Sequence, residues 1–173
     1  MKKIKNFKVD LRQGYILREL KKRGLAVSEE DLYEKIRVVQ DAISPATIYD
    51  TFSSSGPEKI IDSGGAVSVS VFAVTLGKKL DAVPQDEITG VIIADAMDAS
   101  INFVKKLLLI EAEVEHCELL DIAEMPPAAV SSNKKLCDAM EFHKIDLDFD
   151  GGRVSPSYTK FYSVGWLLKK RKR

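Results

Sequence analysis

Apolar residues along this chain recur every three or four positions in some segments and crowd or alternate in others, which predicts a mixture of helices and strands. From Asp10 to Arg23, Leu11, Tyr15, Leu17 and Leu20 have basic residues between them and Gly24 follows. That spacing predicts a short amphipathic helix closed by glycine. Ser28-Glu29-Glu30-Asp31 then offers a capping hydroxyl and an acidic first turn to a second helix, whose face is Leu32, Ile36, Val39 and Ile43 and which Pro45 ends. Ala46 to Phe52, rich in Thr47, Ile48, Tyr49 and Phe52, reads as a strand entering a loop at Ser53-Ser54-Ser55-Gly56-Pro57. Ile60 and Ile61 leave their phasing open, and Gly64-Gly65 reads as a turn. Val69 to Thr75 is almost continuously apolar or β-branched, the pattern of a central strand covered on both faces, and Leu76-Gly77 breaks it.

Asp86 opens the longest helical pattern. Its stripe is Thr89, Ile92, Ala96, Ala99, Phe103 and Leu107, with a supporting row at Val91, Asp95, Asn102 and Lys106. Small residues at Ala94, Ala96, Ala99 and Ser100 would let it lie close to a sheet or another helix. The run Leu107-Leu108-Leu109-Ile110 and the alternating Glu111, Glu113 and Glu115 blur its end, and the glutamates read as a solvated face. Pro126-Pro127 excludes helix interior from Asp121 to Ala129, so a loop or extended crossing is expected there. Asn133 to Phe142 predicts a helix turning Leu136, Met140 and Cys137 inward. Ile145, Leu147 and Phe149 alternate with Asp146, Asp148 and Asp150 as in a half-buried strand, Gly151-Gly152 gives a tight connection, and Arg153 to Trp166 returns as extended chain.

The resulting expectation is an α+β fold: one compact domain over residues 1–168, a mixed or antiparallel sheet with packed helices, and a basic tail at 169–173. The length of 173 residues suits one core. Twenty-six basic and twenty-six acidic side chains cancel, which gives no global field toward nucleic acid or an anionic membrane. The opening Met1-Lys2-Lys3-Ile4-Lys5 is basic but no apolar run follows it, and no stretch reaches the roughly 18 apolar residues of a membrane span. The cytoplasm is the expected compartment.

Candidate chemistry is sparse. Cys117 and Cys137, with His116 and His143, form a loose set without the paired spacing of a zinc site, and they read as buried or incidental thiols. Asp146, Asp148 and Asp150 would share the polar face of one strand, and the glycines after them do not complete a calcium loop. Asp95 and Asp98 stand three apart on the long helix, close enough to act as paired carboxylates, yet no acid or histidine near them completes a site. Helix-surface or capping roles are expected for both. Gly64-Gly65 and Gly151-Gly152 lack the lysine and spacing of a phosphate loop.

Ala73-Val74-Thr75-Leu76-Gly77, the helical segment Asp95-Ala96-Met97-Asp98-Ala99-Ser100, and Leu17-Arg18-Glu19-Leu20-Lys21-Lys22-Arg23-Gly24 ahead of Ser28-Glu29-Glu30 together carry a resemblance over most of the chain. In order and residue type they resemble the reactivation domain of cobalamin-dependent methionine synthase. That resemblance implies a domain that binds S-adenosylmethionine and presents its methyl group to a corrinoid protein, with a reductant protein supplying an electron. Cobalamin would then reach this chain only through a partner, a corrinoid-binding protein or methyltransferase subunit. Such a domain positions a cofactor and docks a partner, and needs no nucleophile or base of its own.

The family's cofactor contacts lie in an Arg-x-Ser-Pro-Gly-Tyr type motif and a later Glu-Ser segment, and two placements are open. One matches the final strand through Val164-Gly165-Trp166; it puts Pro156 on the family proline, sets Phe149 and Gly151 in the Glu and Ser places, and assigns the arginine motif to Leu120 to Pro127, where its arginine is missing. The other sets Arg153-Val154-Ser155-Pro156-Ser157-Tyr158 on the motif itself, with Ser157 in place of glycine. The resemblance thus implies Arg153, Pro156 and Tyr158 as cofactor-binding residues, while the departures from the motif count against binding. The alternative is a protein-interaction module that keeps the fold without the cofactor.

Overall fold

A computed structural model describes residues 1–54, 60–61, 64–150 and 152–169. Chain order is β1 (Lys2–Lys5), α1 (Gln13–Lys22), α2 (Glu29–Ala42), β2 (Ala46–Ser53), β3 (Ser68–Thr75), a 3-10 turn (Lys78–Ala82), α3 (Glu87–Val114), β4 (Cys117–Leu119), β5 (Ala123–Met125), α4 (Pro127–Ser132), α5 (Lys134–Met140), a second 3-10 turn (Phe142–Ile145), β6 (Asp148–Asp150), β7 (Arg153–Ser155) and β8 (Thr159–Leu168). The fold is α+β, as the patterning predicts.

The main sheet is antiparallel throughout, in the order β1-β2-β3-β8-β4, and β5 pairs with β8 on the same side as β4. β3 therefore lies inside the sheet, and the alternation of side chains along it feeds two cores. Phe72 and Val74, with Tyr49, Tyr162, Val164 and Trp166 from the neighbouring strands, pack under α1, α2 and α3. Val71 and Ala73, with Ala46, Ile48 and Phe161, pack against Val130, Leu136 and Met140 of α4 and α5. Covering on both faces is why β3 lacks a polar alternation.

The helix ends follow their sequence signals. Ser28 Oγ accepts the Asp31 N–H at 3.1 Å, Asp86 Oδ1 accepts that of Thr89 at 2.7 Å, and Asn133 Oδ1 accepts that of Leu136 at 3.1 Å. Pro127 opens α4 at its first turn, where a missing N–H costs nothing. The exclusion of helix interior thus holds at Pro126-Pro127, but a short helix begins at that point, and β5 precedes it.

Four expectations change. α3 is buried through Thr89, Ile92, Ala96, Ser100, Val104, Leu108 and Ala112, so from Ala99 onward the true face is one position ahead of the predicted stripe, and Asn102 and Lys106 are exposed. Residues 101–110 are so apolar that the pattern admits either phase, and packing on the sheet selects one. Glu111 is not simply solvated: it accepts the Tyr49 hydroxyl at 2.8 Å and pairs with Lys2 at 2.8 Å. The strand expected from Ile145 is confined to Asp148–Asp150, because Phe142–Ile145 forms a 3-10 turn and Asp146 adopts a left-handed φ of 61°. Aspartate tolerates that conformation, and Ile145 and Leu147 are buried without a ladder. Lastly, the extended chain from Arg153 is interrupted at Pro156, which cannot donate to a ladder, before β8 begins.

Gly64 and Gly65 both have positive φ, as a turn requires. Of the expected connection at Gly151-Gly152, only Gly152 lies within the described residues. Residues 55–57 of the loop after β2 and 170–173 of the basic tail also lie outside them. No helix among the described residues is long and apolar enough to cross a membrane.

Candidate functional site

The segments that carry the resemblance share the core under α1, α2 and α3, through Leu20, Val74, Leu76, Ala96 and Met97. α1 docks on α3 through Asp95, whose side chain is fully buried and whose Oδ2 accepts the Arg12 N–H at 2.8 Å. Its Oδ1 takes Nε and Nη2 of the same arginine at 2.8 and 2.5 Å. Arg12 is the residue before the first turn of α1, so a carboxylate on α3 caps another helix and neutralises its arginine. Asp95 is therefore neither on a helix surface nor at an end of its own helix: it is a buried carboxylate that ties α3 to the start of α1. Asp98 is exposed and separate.

The Thr75-Leu76-Gly77 segment is tied on both sides. Leu76 N–H donates to Tyr158 O at 3.0 Å, and Ser44 N–H donates to Leu76 O at 2.9 Å. Gly77 has φ 91°, and a Cβ on it would lie 2.2 Å from Ser44 Oγ. Only glycine serves there: both the conformation and the space exclude a side chain.

Beside it runs the turn into β8. Ser157 N–H reaches the Asp81 carboxylate at 3.3 Å to each oxygen, and Thr159 Oγ1 donates to Pro156 O at 2.8 Å. Ser157, at the family's glycine place in the second alignment, has a negative φ and fits as serine. Tyr158 lines a cavity of about 260 Å³ with Gly90, Ile93, Ala94, Met97 and Lys160. Burial, and then the nearby Asp81 charge, raise its phenol pKa. Pro156, itself buried, borders a different cavity, of about 350 Å³, which Lys5, Lys78 and Lys79 also line. There Lys5 pairs with Asp146 at 2.8 Å, which lowers that carboxyl's pKa, and Lys78 approaches Asp148 at 3.7 Å.

Arg153 stands on the β6–β7 hairpin, exposed and in register with Asp150. Phe149 of that hairpin stacks on Phe161 at 5.6 Å and meets Phe142 edge-on at 5.7 Å, a packing role. Arg153, Pro156 and Tyr158 therefore do not border one cavity. The space beside Tyr158 is also below the roughly 300 Å³ at which small-molecule sites begin. As arranged, these residues do not fit S-adenosylmethionine as a single pocket. Of the first alignment, Phe149 is a core aromatic, Gly151 lies outside the described residues, and Leu120 to Pro127 supplies the edge strand β5.

Cys117 is buried, with Sγ 3.5 Å from Glu115 O, and Cys137 Sγ lies 3.3 Å from Val130 O. Among the described residues no group of three or more His, Cys, Asp or Glu side chains is gathered for a metal.

A larger cavity, about 720 Å³, opens between α2 and the start of α3, with Val27, Val38, Val83, Pro84 and Ile88 among its walls. Sequence reading missed it because its walls come from two segments far apart in the chain and carry no local motif. Lys35, also on its wall, pairs with Asp86, and that contact together with the Thr89 N–H brings the Asp86 carboxyl down to about 2. No protein-family model and no curated protein matches this chain.

Proposed function

We propose that this protein works beside a corrinoid protein, in methyl transfer or reductive remethylation, as a relative of the methionine synthase reactivation domain. The supporting observation is that three resembling segments, far apart in sequence, supply one apolar core: Leu20 of α1, Val74 and Leu76 at the end of β3, and Ala96 and Met97 of α3. The α1 region is bonded to Asp95 of α3 through Arg12, and Leu76 at the end of β3 is bonded to the turn at Tyr158. Cobalamin stays with the partner in this reading, and the protein contributes a docking surface.

A second reading is a protein-interaction module that keeps the fold without cofactor. The separation of Arg153 from the cavities at Pro156 and Tyr158 favours it. Calorimetric titration with S-adenosylmethionine separates the two. Saturable micromolar binding that Arg153→Ala abolishes supports a cofactor role, and absence of binding heat leaves only the interaction module. Retention of corrinoid methyltransferase subunits on the immobilised protein tests the shared claim, and failure to retain any of them sinks it.

A further inference from the structure

The last three turns of α3 carry an exposed face with an unusual order of residues: Lys106, then Leu109 and Ile110, then Glu113, with Val114 beside them. Leu109, Ile110 and Val114 are 53%, 62% and 72% exposed, although the helix they belong to buries its opposite face completely at Val104 and Leu108. The apolar surface continues off the helix. Ile110 and Val114 form one wall of a cleft of about 570 Å³ whose other wall includes Val67 and Leu168, both exposed. Exposed apolar residues that adjoin in this way mark an interface more often than isolated ones do.

The charges flanking this patch identify its occupant. Lys106 and Glu113 make no ion pair among the described residues, in contrast to Glu111, which is held by Tyr49 and Lys2. They stand equally far from the midpoint between Leu109 and Ile110, one basic and one acidic. A two-fold axis through that midpoint lays a second α3 antiparallel across the first, with Leu109 against Ile110 of the other copy. The same operation brings Lys106 of each copy to Glu113 of the other, closing two identical ion pairs around an apolar centre. A parallel arrangement would set like charges against each other. We infer that this face of α3 is a self-complementary docking surface for a second copy of this chain.

The contact spans little more than two helical turns from each copy, so it belongs with small, concentration-dependent interfaces. Sedimentation equilibrium should show the mass rising from that of the 19.2 kDa chain toward twice that value between about 5 and about 500 µM. Ile110→Glu and Lys106→Glu should each hold the protein at the single-chain mass. Combining Lys106→Glu with Glu113→Lys restores opposite charges across the axis and should recover the dimer. Circular dichroism confirms that each variant keeps its helix content, since all three positions are exposed. A mass that stays at one chain throughout overturns the inference, as does a dimer indifferent to Ile110→Glu or a charge swap that fails to restore association.

Discussion

Removing Arg12 and removing Asp95 are not equivalent changes, because one end of their ion pair is half exposed and the other fully buried. Arg12→Ala leaves a carboxylate in the core with a single backbone N–H for a partner, and should cost about 3 kcal/mol. Asp95→Asn keeps an acceptor for that N–H while the guanidinium turns to water, and should cost about 1 kcal/mol. Urea unfolding of the two variants checks the order, and equal losses would contradict the asymmetry. Asp86 offers a second test. Its folded carboxyl sits at about 2, below the ordinary value near 4, so its contribution is fully present above that ordinary value and disappears as pH falls through about 2. The urea midpoint of Asp86→Asn should therefore lie below that of the unaltered protein at pH 5 and converge with it toward pH 2. Asparagine still caps the helix, which isolates the Lys35 attraction from the hydrogen bond to Thr89.

At the scale of elements, the β6–β7 hairpin packs on the sheet through two side chains, Phe149 and Val154. Phe149 contacts both Phe142 and Phe161, while Asp148, Asp150, Arg153 and Ser155 of the hairpin are exposed. Phe149→Ala should cost about 2 kcal/mol and speed amide exchange in Asp148–Ser155 while sparing β3. Uniform acceleration across both would mean the hairpin is not a separate unit. The hairpin also shows where sequence pattern stops being informative. Alternation at Ile145, Leu147 and Phe149 names three inward residues correctly, but burial inside a 3-10 turn and burial on a strand leave the same period-two trace. α1, α2, β2, β3 and α5 were legible because their patterns are bounded by Gly24, Ser28, Pro45, Leu76-Gly77 and Asn133. β4 and β5 were not, since three-residue edge pairings are set by β8 rather than by local propensity.

For the whole molecule, the sheet divides the chain into two cores of different origin. The face under α1, α2 and α3 is built largely from the first two thirds of the sequence, and the face under α4 and α5 draws its cover from the last third. Of the residues that the resemblance implies, Pro156 and Tyr158 each border a cavity. That the two open into different spaces, and that Arg153 leaves on a hairpin, depends on the break at Pro156, whose consequence for direction no residue pattern encodes.

The placement of β8 bears on how this protein is made. The strand is the last among the described residues, yet it lies between β3 and the pair formed by β4 and β5 and bonds to all three. During synthesis β3 waits with one edge unpaired while more than eighty residues leave the ribosome, and β4 and β5 have no ladder to join until Thr159–Leu168 arrives. The nascent chain thus carries an open, strongly apolar strand edge until those residues have emerged, the kind of surface on which holding chaperones act.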